Sequence, residues 1–264
     1  MSDSSPAATA RWGDLQKRVL SSLVLIPLAF FCLWRGGWVY DLMVMAIMAA
    51  MVWEAETLLG QDMHSWRGAL FLLWPVCAAL VALQHSWLCV AVLVGVAFMF
   101  GNLTSWPILI SVVAGVSLLL LRAAPEGFWT VLFTIAVVVA SDSCAYLTGR
   151  VVGGPKLAPA ISPGKTVSGS LGGLLGAIVM GALVARAASG AWSLQAAGWA
   201  FVLAVAAQLG DLAESGFKRR LGVKDSGTLI PGHGGVLDRF DGILAAAPVA
   251  ACILLLRHGL PFWQ

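Results

Sequence analysis

The sequence has few charged residues for its length. Only 11% of its 264 residues are Asp, Glu, Lys or Arg, whereas 59% are hydrophobic. A water-soluble domain needs about 25% charged residues to cover its surface. A soluble enzyme and a disordered chain are therefore excluded, and a polytopic helical membrane protein is the class that remains.

Other patterns are missing as well. The apolar runs do not alternate with polar residues, as the strands of a membrane β-barrel would. The five cysteines lie within apolar runs without a CxxC pair, which predicts apolar packing rather than disulfides or a zinc site. The net charge of +3 comes without a dense basic stripe, so we expect no nucleic-acid partner.

The apolar runs predict an all-α fold with about nine transmembrane helices. With a cytoplasmic N-terminus, most loop Lys and Arg residues fall on the cytoplasmic side, as the positive-inside rule requires. The predicted segments are 19–34, 38–59, 68–83, 87–101, 106–121, 126–147, 169–187, 194–211 and 242–257.

Composition divides the chain into three parts. Residues 1–13 predict a disordered cytosolic tail. Residues 14–125 predict transmembrane helices that serve as a scaffold, with roles in lipid access and dimer contacts. Residues 126–264 predict a catalytic transmembrane region, whose cytoplasmic loops 148–168 and 212–241 hold most of the polar loop residues.

Residues 211–242 carry the strongest chemical signal, because they mix acidic and basic side chains between two apolar segments. Asp238 and Asp241 are three residues apart and would share one face of a helix. Carboxylates bind Mg²⁺, whereas Lys and Arg neutralise phosphate oxygens. We interpret Glu214 and Arg220 as solvated loop charges. The remaining pattern predicts a site for a divalent cation and a polyphosphate, with candidates Asp211, Lys218, Arg219, Lys224, Asp238, Arg239 and Asp241.

Three more carboxylates lie inside predicted spans. Asp142 lies near the cytoplasmic end of the sixth segment, and an ionisable residue inside a membrane indicates function by default. For Glu54 and Glu56, in the second segment, structural pairing and substrate contact both remain open.

Two glycine-containing stretches suggest phosphate contacts. The stretch Ser-Pro-Gly-Lys-Thr at 162–166 is similar to a P-loop, but Pro159 stands where that motif needs glycine, so we reject a P-loop. Ser162, Lys165 and Thr166 remain candidates for phosphate contact, because a helix begins beyond them and helix N-termini favour anions. The turn that contains His233, Gly234 and Gly235 could present backbone N–H groups to phosphate, although a plain turn would have the same sequence.

The segment from Ser215 to Asp241 resembles the signature of the phosphatidate cytidylyltransferases, also called CDP-diacylglycerol synthases. The matching residues are Ser215, Phe217-Lys218-Arg219, Lys224-Asp225, Gly227, Ile230-Pro-Gly-His-Gly-Gly-Val236 and Asp238-Arg239-Phe240-Asp241. Residues 141–150 and 161–166 match other recurrent stretches of this family in the same order. Ser168 departs from the family, whose members often have Glu there, which leaves the role of that position open.

The resemblance implies an integral membrane enzyme that joins CTP and phosphatidate to give CDP-diacylglycerol and pyrophosphate. It also implies Mg²⁺ dependence, a second cation such as K⁺, and a homodimer. The expected catalytic residues are Asp211, Lys218, Asp238 and Arg239. The expected metal ligands are Asp142, Asp211, Asp238 and Asp241. The expected substrate contacts are Ser162, Lys165, Thr166, Lys218, Arg219, Lys224, Asp225, His233, Gly234 and Gly235.

Other functions remain open at this point. One is a CTP-dependent transferase that acts on another lipid phosphate or alcohol, and another is a paralogue without activity. A third is a membrane transporter, but its charges would lie at the midplane in paired halves, whereas these acidic residues gather at one interface. Compact size and the lack of an organelle-targeting pattern favour a bacterial inner membrane, with the site facing the cytoplasm.

Overall fold

The computed structural model describes residues 6–100, 102–230, 232 and 234–264. Within them the chain forms nine α-helices and one antiparallel β-hairpin. The helices are α1 Pro6–Arg35, α2 Gly37–Leu58, α3 Trp66–Leu83, α4 Trp87–Ala97, α5 Asn102–Ala123, α6 Gly127–Val151, α7 Val167–Ser189, α8 Leu194–Arg220 and α9 Leu237–Leu256. The hairpin strands are β1 Lys156–Ala158 and β2 Ser162–Thr166.

Each predicted apolar segment corresponds to one helix, which confirms a helical membrane protein. Seven helices of the described chain are long and apolar enough to cross a bilayer, namely α2, α3 and α5 to α9. The apolar parts of the other two are shorter, Val19–Arg35 in α1 and Trp87–Ala97 in α4. At about 1.5 Å per residue, α4 covers only about 17 Å. The count of nine spans and the cytoplasmic N-terminus therefore stay predictions.

Hydrogen bonds show which helix ends lie together. The Ser111 hydroxyl donates to the Met48 carbonyl at 3.0 Å, and the Tyr40 hydroxyl donates to the Leu118 carbonyl at 3.2 Å. These two bonds make α2 and α5 antiparallel. The N–H of Leu237 donates to Glu54 Oε2 at 2.9 Å, which joins the start of α9 to the end of α2. The end of the bundle that holds Glu54 and Leu237 is called the polar end below.

The opposite end is closed by the C-terminal residues. Phe262 stacks on Phe133 of α6 with ring centroids 4.8 Å apart. The Arg257 guanidinium, just after α9, donates to the Gln195 side chain in the first turn of α8 at 3.4 Å. The end of α9 and the starts of α6 and α8 therefore meet far from the polar end.

Glycines bring α6 and α7 into close contact. A Cβ atom at Gly173 of α7 would lie 2.7 Å from the Ser141 carbonyl oxygen of α6, and one at Gly169 would lie 2.8 Å from the Ala145 carbonyl oxygen. Small residues at an interface allow such close approach of backbones in membrane proteins. Helices α6 and α7 are therefore closely packed, and the β-hairpin lies between them in the chain.

The structure differs from the predicted tail. Helix α1 begins at Pro6, so residues 6–13 are helical rather than disordered. Proline suits the first position of a helix, and the alanines after it are strong helix formers. Residues 1–5 lie outside the described part of the chain.

The two predicted loops are shorter than the sequence suggests. Helix α8 continues to Arg220 and α9 begins at Leu237, so the loop predicted at 212–241 shrinks to 221–236. The loop predicted at 148–168 begins with the last turn of α6 and contains the β-hairpin, which the all-α prediction missed.

Candidate functional site

A polar cavity of about 530 Å³ opens at the polar end of the bundle. Pockets for small ligands commonly measure about 300–1,000 Å³. Helices α6, α7, α8 and α9 form its walls together with strand β2. Its charged lining includes six of the predicted site residues, Asp142, Lys165, Asp211, Asp238, Arg239 and Asp241.

Three helices supply the acidic groups of this cavity. Asp142 comes from α6, Asp211 from α8, and Asp238 and Asp241 from the first turns of α9. The predicted i, i+3 pair on α9 does share one face, because both residues line the same cavity. Residues separated by almost a hundred positions in the sequence thus line the same cavity.

Lys165 forms an ion pair with Asp211 across this cavity. Its Nζ atom lies 2.5 Å from Asp211 Oδ2, and the two side chains are 27% and 25% exposed. Strand β2 ends at the next residue, Thr166, so the hairpin carries this lysine toward α8. The Ser215 hydroxyl, one turn along α8, also donates to Asp211 Oδ1 at 3.4 Å.

Lys218 binds two carboxylates in a more buried place. Its Nζ atom lies 2.7 Å from Glu214 Oε2 and 2.6 Å from Asp238 Oδ1. The side chains of Lys218, Glu214 and Asp238 are only 11%, 6% and 10% exposed. Glu214 is therefore not the solvated loop charge that the sequence suggested, because α8 continues past it and turns it inward.

Asp238 is held by the backbone as well as by Lys218. The Ser226 N–H donates to both of its oxygens, at 3.0 Å and 2.9 Å, and the Gly235 N–H donates to Oδ2 at 3.0 Å. A carboxylate offers about four lone-pair sites. In this arrangement protein donors use all of them, and Asp238 ties the loop before α9 to the first turn of that helix.

The carboxylates do not form a ready metal centre. Within the described residues no three His, Cys, Asp or Glu side chains converge as metal ligands. Asp142, Asp211 and Asp241 nevertheless line the same cavity, where Lys165 pairs with Asp211. Carboxylate oxygens are suitable ligands for Mg²⁺. Metal binding therefore stays a prediction that would require these groups to move together.

Thr166 caps helix α7. Its hydroxyl accepts a hydrogen bond from the Gly169 N–H at 3.0 Å, and the residue is only 6% exposed. Thr166 thus lines the cavity at a helix N-terminus, as predicted, with its hydroxyl engaged in the cap. Ser162 is half-buried at the start of β2 and is not part of the cavity lining.

Several other predicted contacts lie outside the cavity. Arg219 is exposed and donates to the Ile161 carbonyl at 3.4 Å, so it braces the hairpin. Lys224 and Asp225 are exposed in the loop after α8, and His233 lies outside the described residues.

The glycine turn surrounds Asp238. Gly235 donates to Asp238, while the Gly234 carbonyl accepts from the Ile230 N–H at 3.0 Å. Gly234 has a φ of 81°, which favours glycine, and a Cβ there would lie 3.2 Å from Asp238 Oδ2. In the structure this turn contacts the protein's own carboxylate, and its contact with phosphate stays a prediction.

The cavity wall contains a hydrogen-bonded group that the sequence did not predict. The Gln208 amide donates to the Ser141 hydroxyl at 3.2 Å and to the Ser170 carbonyl at 3.1 Å. The Ser170 hydroxyl donates back to Gln208 Oε1 at 2.5 Å. Gln208 stands three residues before Asp211, so helical spacing could have identified it as a neighbour.

A second missed pair lies at the rim. Arg150 donates to the Tyr146 hydroxyl at 2.9 Å, and both exposed side chains line the cavity. Tyr146 stands four residues after Asp142 and Arg150 eight, which places all three on one face of α6. The rim therefore adds a cation and an aromatic ring to the predicted set.

The other face of α8 borders an apolar cavity of about 500 Å³. Its α8 residues include Gly210, Ala213 and Phe217 at helical spacing, together with Glu214 and Arg220. Leu221, just after α8, and residues of α2, α5 and α9 complete the lining. A Cβ at Gly210 would lie 2.7 Å from the Ala245 Cβ atom, so α8 and α9 pack closely between the two cavities. Helix α8 is therefore a wall shared by a polar and an apolar cavity.

Comparison with known proteins identifies the family of this chain. The model of the cytidylyltransferase family matches residues 16–256. A phosphatidate cytidylyltransferase of Brucella suis is 40% identical over 247 residues, which cover 89% of this chain and 91% of the relative. The protein of that name from Staphylococcus saprophyticus is 37% identical over 224 residues, covering 83% and 72% of the two chains. The family model spans every helix and strand of the polar cavity. The chain belongs to the cytidylyltransferase family.

Proposed function

We propose that this chain is a phosphatidate cytidylyltransferase, which transfers CMP from CTP to phosphatidate and releases pyrophosphate. Relatives that match most of the chain carry that name. The observation that carries the proposal is the polar cavity, where carboxylates from α6, α8 and α9 face Lys165 and Arg239. A site of this charge pattern suits a metal–polyphosphate complex.

The reaction needs positioning and charge neutralisation more than it needs a base. A phosphate oxygen of phosphatidate attacks the α-phosphorus of CTP, and the bond from that phosphorus to the β-phosphate oxygen breaks. The nucleophile is already an anion, so the barrier lies in bringing two anions together and stabilising the leaving pyrophosphate. Lys165 and Arg239 line the cavity and would bind phosphate oxygens. Lys165 would then exchange its contact with Asp211 for one with the substrate.

We propose that Mg²⁺ binds through Asp142, Asp211 and Asp241, together with a second cation such as K⁺. The donor set fits, because these carboxylates line the cavity in which substrate phosphates would lie. Bound Mg²⁺ would neutralise the charge that builds up on the polyphosphate. Asp238 also stays a candidate ligand, although it would have to give up contacts with Lys218 or the backbone.

We further propose nine membrane crossings with the polar end in the cytoplasm. Helix α3 follows the end of α2 and leads away from the polar end, whereas α5 begins there. The segment around α4 must therefore bring the chain back. In support, the Trp74 indole of α3 donates to the Leu93 carbonyl of α4 at 3.0 Å, so α4 runs back along α3.

The direction of α1 follows from a contact with α5. The Arg122 guanidinium at the end of α5 donates to the Leu33 carbonyl near the end of α1 at 3.1 Å. The last turns of α1 and α5 thus lie together, so α1 starts toward the polar end. The positive-inside rule then favours a cytoplasmic polar end. The matching relatives are bacterial, so we propose an inner-membrane location. The homodimer that the family resemblance implies stays a prediction.

The direct test is pyrophosphate release by purified, detergent-solubilised protein. We expect release only when CTP, phosphatidate and Mg²⁺ are all present, with CDP-diacylglycerol as the lipid product. Release with another lipid phosphate or alcohol but not with phosphatidate would favour the alternative transferase. Transmembrane flux of a solute without pyrophosphate release would favour a transporter.

A variant makes the test specific to the site. We expect Asp238→Asn to abolish turnover while the protein still accumulates in the membrane, because the amide cannot replace the charge that pairs with Lys218. Asp62→Asn serves as the control, since Asp62 is exposed in the loop between α2 and α3 and outside the cavity lining. Near-normal activity of Asp238→Asn would contradict the assigned role.

A further inference from the structure

Glu54 is a buried carboxylate that joins the N-terminal helices to the polar cavity. It lies in the last turns of α2 and is only 3% exposed. Its Oε2 atom accepts a hydrogen bond from the Leu237 N–H at 2.9 Å, across 183 residues of sequence. Leu237 is the first residue of α9, where backbone N–H groups have no partner within the helix. Glu54 therefore satisfies the start of the helix that carries Asp238.

Two glycines of the preceding loop pack directly against this carboxylate. A Cβ at Gly227 would lie 2.6 Å from Glu54 Oε1, and the three atoms nearest to it all belong to Glu54. A Cβ at Gly235 would lie 2.6 Å from Glu54 Oε2 and would also clash with the Ser226 hydroxyl. The carboxylate thus fills the space that side chains at these positions would occupy.

The same loop positions hold Asp238. Ser226, next to Gly227, donates its N–H to Asp238, and so does Gly235. Gly235 lies beside Glu54, as does Gly227, the neighbour of Ser226, and neither donor lines the polar cavity. Displacement of Glu54 would therefore move the two N–H groups that orient Asp238, and with them its contact with Lys218.

Capping the Leu237 N–H uses only one of the two carboxyl oxygens of Glu54. Among the described atoms, Glu54 Oε1 has no hydrogen-bond partner. Burying such an oxygen costs free energy, whereas a side chain that only capped Leu237 would need no second oxygen. Both oxygens of Glu54 contact glycines of the loop before α9, Oε1 at Gly227 and Oε2 at Gly235. The cost of burying Oε1 is explained if these contacts set the position of that loop.

We propose that Glu54 is a positioning residue for cytidylyl transfer. It holds Gly227, Gly235 and the first turn of α9, and thereby keeps Asp238 aligned in the polar cavity. The expected effect on kcat rests on the proposed function. The expected effect on the loop rests only on the contacts described above.

The test compares four variants with the wild type. Glu54→Ala removes the carboxylate, and Gly227→Ala pushes against Glu54 from the loop side. The double variant has both changes, and Glu54→Gln keeps an oxygen that can accept from Leu237. Glu56→Gln is the matched control, because Glu56 is fully buried two residues away and lacks a hydrogen-bond partner among the described atoms.

We expect Glu54→Ala to lower kcat on the order of 10- to 100-fold, as a small misplacement of a reacting site does. The KM for CTP should stay within about twofold, because Glu54 does not line the cavity. Glu54→Gln should restore most of kcat. Gly227→Ala alone should also lower kcat, but the double variant should be no slower than Glu54→Ala, because the clash partner is gone.

Hydrogen exchange gives a second readout that does not depend on turnover. We expect faster exchange in a peptide that spans 222–236 for Glu54→Ala and Gly227→Ala, but not for Glu56→Gln. Unchanged exchange, or losses of kcat that multiply in the double variant, would overturn the proposal. Absence of pyrophosphate release from the wild type would instead overturn the proposed function, and the exchange result would still decide the role of Glu54.

Discussion

Lys218 forms two buried ion pairs at the polar end of this protein. The residue lies between Glu214 and Asp238, with contacts of 2.7 Å and 2.6 Å, and only 11% of its side chain is exposed. Removing one member of a buried group of charges leaves the others without compensation. Lys218 therefore supports both the fold of the polar end and the orientation of Asp238.

We predict that Lys218→Met destabilises the protein by about 3–5 kcal/mol, because two buried carboxylates lose their cation. Activity should be lost in the same variant. Thermal unfolding in detergent and pyrophosphate release measure the two effects. Arg220→Met is the control, since Arg220 is exposed two residues further along α8 and should change stability by no more than about 0.5 kcal/mol. Equal melting of Lys218→Met and the wild type would contradict this role.

The pairing of α6 with α7 sets the geometry of the cavity at the scale of elements. Asp142 comes from α6, while Lys165 and Thr166 immediately precede α7. Glycines at the interface let the two backbones approach closely, as at Gly173, where an added Cβ would lie 2.9 Å from the Gln208 amide nitrogen. A change in this spacing would move the acidic and basic walls relative to each other.

We predict that Gly173→Ala costs about 1–3 kcal/mol, because overpacking forces the helices apart. Activity should fall as well, since Gln208 and Ser141 border the cavity wall. Gly198→Ala is the matched control, because Gly198 is also within a helix but has open space around it. That variant should gain up to about 1 kcal/mol from helix propensity. Thermal unfolding and turnover of both variants give the comparison, and a stabilised Gly173→Ala would contradict it.

Local patterns were enough to predict the helices and part of the site. Apolar runs located all nine helices, and the spacing of Asp238 and Asp241 correctly placed both on one face. The hairpin was missed because its strands have three and five residues and contain proline and glycine. The end of α8 was missed because Lys218, Arg219 and Arg220 were interpreted as a loop, although basic residues suit the last turn of a helix.

The long-range contacts could not be predicted in the same way. Glu54 and Leu237 are 183 residues apart, and no local period connects them. Glu214 differs from an exposed loop acid only through Lys218 and the packing of α8. Such partners follow from tertiary packing, which composition and spacing do not encode.

Helix directions give a prediction about the whole molecule. Gln84 lies between α3 and α4, Ala191 lies between α7 and α8, and Thr228 lies in the loop that follows α8. Ala191 is at the end away from the polar cavity, because α7 begins at that cavity. Gln84 is at the same end if α3 and α4 both cross the membrane. We therefore expect cysteines at positions 84 and 191 to react with an impermeant maleimide from one side of the membrane, and a cysteine at 228 to react from the other.

Oriented vesicles, right-side-out and inverted, provide the measurement. The background needs all native cysteines replaced, because Cys77, Cys89 and Cys252 are exposed in the described structure. Labelling at 84 and 228 from the same side would show that α3 and α4 do not cross the membrane as a pair. Labelling at 191 and 228 from the same side would contradict the helix directions at the site itself.

The shared wall formed by α8 has a consequence for inhibition. Asp211 faces the polar cavity, while Ala213 and Phe217 face the apolar cavity behind it. Any molecule wedged into the apolar side would push on the helix that carries Asp211, Glu214 and Lys218. Such a compound would have no need to resemble a nucleotide or to compete with CTP for the polar cavity. The back of this helix is therefore a place from which the enzyme could be blocked without entry into its active site.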